Sequence, residues 1–419
     1  MVGKTPCRFL AVTVAILALA FVTAPALACP FCSMQGQTLI GDVNQASMVL
    51  FGTLSNAKPG AGDDFGGGTT DLQIEATIKK NDILGNNKTV TLPRYMPDQN
   101  KKTKWLIFCD VYKGKIDPYR GVPVPEDSDM VKYIEGALKA KDKDISARLR
   151  FYFDYLDNKD TEISNDAYKE FGNADYKDYR DMAKLLPADK IAKWLDDPNT
   201  PPFRYGLYAS MLGHCGTAKH GDLLHKMLED PQRRASTGVD GMLAGYALLK
   251  PKEGWDYIRG ILKDPAKEFM LRYSALRAAR FFWDSRPDVL PKKDLVGGVC
   301  LLLDQGDIAD LAIEDLRKWN RWEVSDKVLG LKDKKSHDIP IIRRAILRYA
   351  LYCPGTRAAE YVAECRKRDA EMVKDTEELL KLETGDNSKT PPAPPPILSG
   401  PAPSGKANGT TTSAPKKGP

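Results

Sequence analysis

Leu195-Asp-Asp-Pro198 returns as Leu228-Glu-Asp-Pro231 and again as Leu262-Lys-Asp-Pro265, with the leading leucines 33 and 34 residues apart. Each copy closes one amphipathic segment and opens another. A period of this length marks stacked helical hairpins, none of which can dry its apolar face alone. Proline suits the opening of a second helix, because the N–H it lacks would find no intrahelical partner there. The segments that follow are apolar along one face and often carry an Arg near the start: Phe203-Arg-Tyr-Gly-Leu-Tyr-Ala209, Phe269-Met-Leu-Arg-Tyr-Ser-Ala-Leu276 and Ile341-Ile-Arg-Arg-Ala-Ile-Leu347. Leu303 followed by Ile308-Ala-Asp-Leu-Ala-Ile313, and Leu138 followed by Ile145-Ser-Ala-Arg-Leu-Arg150, read as weaker copies. Five or six irregular hairpins are therefore expected between Asp129 and Leu382.

With an Asp in the turn and an Arg in the second helix, this part resembles HEAT-like α-solenoids. Asp197 with Arg204, and Asp264 with Arg272, match that usage. The resemblance implies that these residues lock neighbouring repeats together and have no catalytic role.

Upstream, from Ser47 to about Val124, the pattern has the two-residue period of strands. Ser47–Ser55, Asp71–Lys79, Lys88–Leu92 and Lys104–Tyr112 are short and rich in β-branched or aromatic residues, and Leu72, Ile74, Ala76 and Ile78 share one face. The glycine-rich run from Pro59 to Gly68 reads as a hairpin connection. It lacks the Gly-Lys-Ser/Thr ending of a phosphate-binding loop. Paired cysteines (Cys29, Cys32), a first strand Val49-Leu-Phe-Gly-Thr53, a long second strand ending in Lys79-Lys80 and a late strand Trp105-Leu-Ile-Phe-Cys109 resemble the netrin-like domain. That is the OB-type β-barrel of the tissue inhibitors of metalloproteases. In that family the amine and carbonyl of the first Cys chelate a protease zinc. Those inhibitors begin Cys-x-Cys, whereas the motif here is Cys29-Pro-Phe-Cys32.

The two ends carry different information. Lys4 and Arg8 precede an apolar run from Phe9 to Val22 and the small-residue site Ala26-Leu27-Ala28, the pattern of a signal peptide cleaved after Ala28. Export to the periplasm, cell surface or medium is expected, with no membrane-spanning helix in the mature chain. Losing Lys4 and Arg8 lowers the formal charge from +6 to +4, spread over many mixed charges, which argues against a nucleic-acid partner. The last 35 residues, Gly385 to Pro419, hold nine prolines and no aromatic residue, too little apolar surface to offset ordering. The expected organisation is a signal peptide (1–28), a netrin/OB-like β-domain (29–126), a HEAT-like helical domain (127–384) and a disordered tail (385–419). The fold class is multidomain α+β.

Seven cysteines remain after residue 28: Cys29, Cys32, Cys109, Cys215, Cys300, Cys353 and Cys365. An oxidising compartment favours pairing, and the odd number leaves at least one unpaired. Cys29, Cys32 and Cys109 are the disulfide candidates, with one of the first two joined to Cys109. The helical cysteines read as small buried apolar residues. A thioredoxin-type motif needs a preceding strand and a helix starting at the motif, for which residue 29 leaves no room. Lipidation of Cys29 is a further reading, although Ala26 stands where lipoprotein signals usually have Leu.

His214, Cys215 and His220 are weak metal candidates, joined by His225 within a short span; His220 and His225, five apart, diverge around a helix. The aromatic run Phe151-Tyr-Phe-Asp-Tyr155 reads as repeat core. No serine-hydrolase elbow, zinc-protease motif or nucleotide-binding glycine loop is present. No cofactor is expected. The leading reading is an exported, non-enzymatic binding or scaffold protein that engages an unidentified protein partner through the solenoid or the barrel. The alternatives are a metalloprotease-inhibitor-like module acting through Cys29, and a thiol oxidoreductase using Cys29 and Cys32.

Overall fold

The computed structural model describes residues 29–60, 67–96 and 103–383. The expected signal peptide, the middle of the glycine-rich connection and the expected Pro-rich tail lie outside the described residues. The protein is α+β: an antiparallel five-stranded sheet near the N-terminus and then seventeen α-helices among the described residues. It divides into two compact units, one running to Pro187 and the other starting at Ala188. The strand-to-helix change near Pro125 lies inside the first.

In the first unit, β1 (Met48–Pro59), β2 (Gly68–Lys79), β3 (Thr89–Leu92), β4 (Lys104–Tyr112) and β5 (Lys115–Val124) follow the order β3-β2-β1-β4-β5. The sheet is open, which corrects the expected OB-like barrel: no ladder joins the edge strands β3 and β5. The fifth strand carries Pro118 and Pro123, residues that cannot donate to a ladder and are tolerated at an edge. The β4–β5 hairpin closes through Lys113 and Gly114, both at positive φ (49° and 70°), as a two-residue turn between twisted strands requires. Gly52 is needed where β1 meets β2, since a Cβ there would lie 1.8 Å from the Gln73 carbonyl oxygen. One face of the sheet buries Met48, Leu50, Leu72, Val90, Leu92, Ile107 and Cys109 together.

Helix α1 (Leu39–Gln45) is tied to the sheet through its C-terminal carbonyls, where Lys79 Nζ donates to Val43 (3.2 Å) and Asn44 (2.7 Å), and through the Arg120–Asp42 ion pair. Four helices complete the unit: α2 (Met130–Ala140), α3 (Ile145–Phe153), α4 (Thr161–Asn173) and α5 (Tyr176–Ala183). The aromatic run packs as core, with Tyr133 meeting Phe151 at 5.9 Å and Tyr155 at 4.8 Å between ring centroids. Buried Asp166 on α4 holds three helices together. It accepts the Leu39 N–H at the start of α1 and the Tyr133 hydroxyl of α2, the latter at 2.7 Å. Burial pushes its carboxyl up to about 6, and the two donated hydrogen bonds offset only part of that rise.

The second unit is built of helical hairpins. The first helices are α6 (Ala188–Asp196), α8 (Ala218–Glu229), α11 (Pro251–Lys263), α13 (Lys292–Val299), α15 (Ser325–Gly330) and α17 (Thr356–Arg368). Their partners are α7 (Tyr205–Cys215), α10 (Val239–Leu249), α12 (Phe269–Ser285), α14 (Ala309–Lys318), α16 (Pro340–Tyr352) and α18 (Ala370–Glu383), and one short turn of helix, α9 (Pro231–Arg234), intervenes. The Leu-x-Asp-Pro signatures end α6, α8 and α11, and Leu195, Leu228 and Leu262 are fully buried. Partner helices stack on partner helices, α7 on α10 on α12 and α14 on α16 on α18. The tightest crossing joins α7 and α10, where a Cβ on Gly241 would lie 2.4 Å from the Gly206 carbonyl oxygen. No helix among the described residues is long and apolar enough to cross a membrane.

Two outcomes are expected. Gly241→Ala forces backbone apart at a packed crossing and should cost about 1–3 kcal/mol. Gly260→Ala, on the exposed side of α11 with open space around its Cβ, should stabilise by about 0.5–1 kcal/mol. Thermal unfolding of the pair checks this, and equal midpoints would refute the close crossing. The second concerns pH. The folded Asp166 carboxyl binds its proton more tightly than an unfolded one, so its contribution is most favourable below about pH 4 and is lost as pH rises through about 6. Asp166→Asn should therefore gain on the parent protein between pH 4 and pH 7, by up to about 3 kcal/mol. Urea midpoints of both proteins at the two pH values test the sign.

Candidate functional site

Cys29 and Cys32 are disulfide-bonded to each other. Cys109 is a free, buried thiol, which corrects the expected link to it. It sits in the sheet core opposite Met48, and burial raises its pKa to about 12. The 29–32 loop is anchored downstream on α4: Ser33 N–H donates to the Tyr168 hydroxyl (3.2 Å), and Gly36 exchanges hydrogen bonds with the Asn173 amide (2.9 and 2.8 Å). Cys29 is buried, its carbonyl accepts the Cys32 N–H, and no helix starts at the motif, the first helix beginning at Leu39. The loop thus offers neither an open chelating carbonyl nor a helix N-terminus to stabilise a thiolate. Cys215, Cys300, Cys353 and Cys365 are also free thiols. Burial raises the pKa of the first three, that of Cys215 to about 11.

The histidine cluster does not converge. His220 is buried and closes the start of α8, its Nδ1 accepting the Thr217 N–H at 3.0 Å while Nε2 faces Asp189 on α6 at 3.3 Å. His225 points elsewhere and stacks on Tyr246 (5.1 Å). Cys215 Sγ donates to the Met211 carbonyl within its own helix, whose last turn also holds His214. No group of three or more His, Cys, Asp or Glu among the described residues could hold a metal ion.

The expected locking residues divide into two kinds. Asp197 and Asp264 serve their own turns, accepting the N–H two residues on, from Asn199 (2.8 Å) and Ala266 (2.9 Å), and Asp230 of the third signature does the same for Gln232 (2.9 Å). Arg204 is buried beside Tyr208 of the same hairpin. Arg272 reaches forward, to both oxygens of Asp307 (2.9 and 2.5 Å) and to Gln305 (2.7 Å) in the next hairpin. The general lock lies in the leucine of the signature. In a continuing helix its carbonyl would receive the N–H four residues on, which is the N–H that the Asp has taken. The next hairpin supplies a donor, Arg233 to Leu195 (2.6 Å), Tyr257 to Leu228 (3.3 Å) and Gln305 to Leu262 (2.7 Å), although Leu228 also accepts from Arg234 of its own hairpin (3.4 Å).

The feature best suited to bind something is a groove of about 960 Å³ on the layer of first helices, a volume at the upper end of ligand pockets, roughly 300–1,000 Å³. It opens where that layer thins: α13 and α15 have eight and six residues, against thirteen in each of α11 and α17. Val296, Gly297, Cys300, Leu301, Val324 and Leu331 contribute apolar wall, and six basic residues face three acidic ones around it. All three carboxylates are already engaged: Asp304 with Lys334, Glu323 with Arg321 (3.9 Å) and Asp326 with Arg357 (2.5 Å). Lys263, Lys292, Lys293 and Lys327 are exposed and have no carboxylate within ion-pair distance among the described residues. The cleft of about 790 Å³ on the opposite layer differs, its arginines being neutralised by Arg280–Asp315, Arg348–Glu314 and the Arg317 pairs to Glu314 and Glu383.

Sequence reasoning missed the groove, because its residues come from segments up to 71 positions apart. One local signal was available. Pro291-Lys-Lys-Asp294 starts a helix with two lysines, at the end where the helix dipole favours acids.

Gln305→Leu would leave the Leu262 carbonyl unsatisfied and take an acceptor from Arg272, so a loss of about 2–3 kcal/mol is expected. Asp264→Ala removes only an exposed turn cap, for about 0.5–1 kcal/mol. Urea unfolding of the two variants checks the ranking, and the reverse order would disprove the handover of the leucine carbonyl.

Comparison with family models, with curated proteins and with solved structures found no match.

Proposed function

We propose that this is an exported, non-enzymatic binding or scaffold protein that engages a protein partner through its helical-hairpin unit. The observation that carries the reading is the contrast between the two faces of that unit. One cleft has its arginines paired, while the groove opposite holds four exposed lysines beside apolar wall with no carboxylate in ion-pair range among the described residues. Stacked hairpins offer extended surfaces suited to protein partners. Export rests on the signal-like start of the sequence, from Lys4 to Ala28.

The finer family readings belong here too. A HEAT-like assignment of the second unit is supported by the signature at the end of three first helices and by the forward-reaching Arg272. The netrin-like assignment of the sheet rests on the order of the Cys pair, the long first strands and the Trp105 strand. The open sheet and the Cys29–Cys32 pairing count against it.

The protein from Cys29 onward, used as bait in the exported fraction under native conditions, should retain a partner at stoichiometric level and co-elute with it in gel filtration. Recovery of the bait alone, in repeated native preparations, would overturn the proposal.

A further inference from the structure

We infer that the groove between α13 and α15 takes an acidic segment of a protein partner, one with apolar side chains set between its carboxylates. This deepens the partner-binding reading and rests on it. Charge complementarity carries the inference. Lys292 and Lys293 open α13, whose N-cap is Pro291, a residue with no side-chain acceptor for the free N–H groups of the first turn. Lysines add positive charge where the helix end already concentrates it, an arrangement that opposes folding and favours an incoming anion. Lys327 faces them from α15 and Lys263 from the end of α11. The wall between is apolar, and an added Cβ at Gly297 would meet nothing within 4 Å. A fully polar anion would leave that wall wet, and a fully apolar segment would leave the lysines without a counter-charge.

Other occupants fit less well. The chain's own segment beyond residue 384 carries Lys389, Lys406, Lys416 and Lys417 against Asp386 alone, the wrong sign for this groove. A nucleic-acid strand needs aromatic faces on which to stack. The lining of this groove includes no aromatic residue, and Trp283, which Lys292 approaches at 4.5 Å, lines the opposite cleft and is covered by Trp319 at 4.2 Å.

The test uses the protein from Cys29 onward and a fluorescent peptide of glutamates with leucines at helical spacing. Controls are the same peptide with Lys for Glu, the same with Ser for Leu, oleate and a single-stranded oligonucleotide. The Glu/Leu peptide should bind, and at least about tenfold more tightly than either altered peptide. The triple variant Lys292→Glu, Lys293→Glu, Lys327→Glu should weaken it by a similar factor. These side chains are exposed and glutamate is favoured at a helix start, so the variant's thermal midpoint should not fall. Should it fall, alkylation of Cys300 in the unaltered protein gives a second readout, slowed by the Glu/Leu peptide and not by its Lys/Leu counterpart. Equal binding by the triple variant, equal binding of the Lys/Leu peptide, or binding of oleate or oligonucleotide alone would each overturn the assignment. An exported partner that still co-elutes with the triple variant would also overturn it while leaving the partner-binding reading intact. Failure to recover any partner with the unaltered bait strikes that reading, and the peptide result then stands by itself.

Discussion

A helix that ends must find donors for its last carbonyls, and at the signature turns of the second unit a donor comes from the neighbouring hairpin. The turn Asp of each Leu-x-Asp-Pro signature takes the N–H that would otherwise close back on the leucine, and Arg233, Tyr257 or Gln305 of the next hairpin donates to the leucine carbonyl, joined at Leu228 by Arg234 of the same hairpin. His337 repeats the device further on, its Nε2 meeting the Leu303 carbonyl at 2.8 Å. Each hairpin is thus incomplete in polar as well as apolar terms. Burial of leucine side chains supplies most of the stabilisation, but it is non-directional. The carbonyl contacts have direction, and they fix the register in which one hairpin meets the next.

This explains what was legible in the sequence. The 33- and 34-residue spacing was visible because the same small device recurs, with Leu for the buried end, Asp for the turn and Pro for the break. The carbonyl contact behind the device was not legible, because a backbone carbonyl has no letter of its own. Arg272 contacts Asp307 and Gln305 of the next hairpin, residues that carry no signature of their own in the sequence. In the sheet, period-two alternation revealed four strands. The fifth went unrecognised because Pro118, Gly121 and Pro123 interrupt the apolar pattern, a composition that an edge strand tolerates and a central one does not. Barrel closure depends on whether β3 and β5 pair, a relation between distant segments that alternation does not encode.

The N-terminal disulfide teaches the same lesson about distance. Three cysteines flanking one strand region suggested a long-range bridge, yet Cys109 points into the sheet core and Cys29 closes on Cys32. The segment after the bridge is secured by polar contacts to α4 more than 130 residues downstream. Asp166 of α4, which accepts the N–H at the start of α1, is buried by that packing, and the burial raises its carboxyl pKa.

The groove arises from irregularity in the repeat. Where a first helix runs to thirteen residues, it covers its neighbours; at α13 and α15 regular helix falls short by five to seven residues, roughly 8–10 Å of rise, and short 3₁₀ turns take up the chain. A shortened layer need not be charged, and the opposite cleft shows how the same fold neutralises arginines when nothing else is asked of them. Lys292 and Lys293 at a helix start break a local rule with only partial compensation, from Asp294 in the same turn and from the Trp283 ring under Lys292, and neither lysine has a carboxylate in ion-pair range among the described residues. Such departures concentrate where a protein meets something outside itself. In this unit the departure and the gap in the helical layer coincide at one place, and neither of them is required by the stacking that holds the hairpins together.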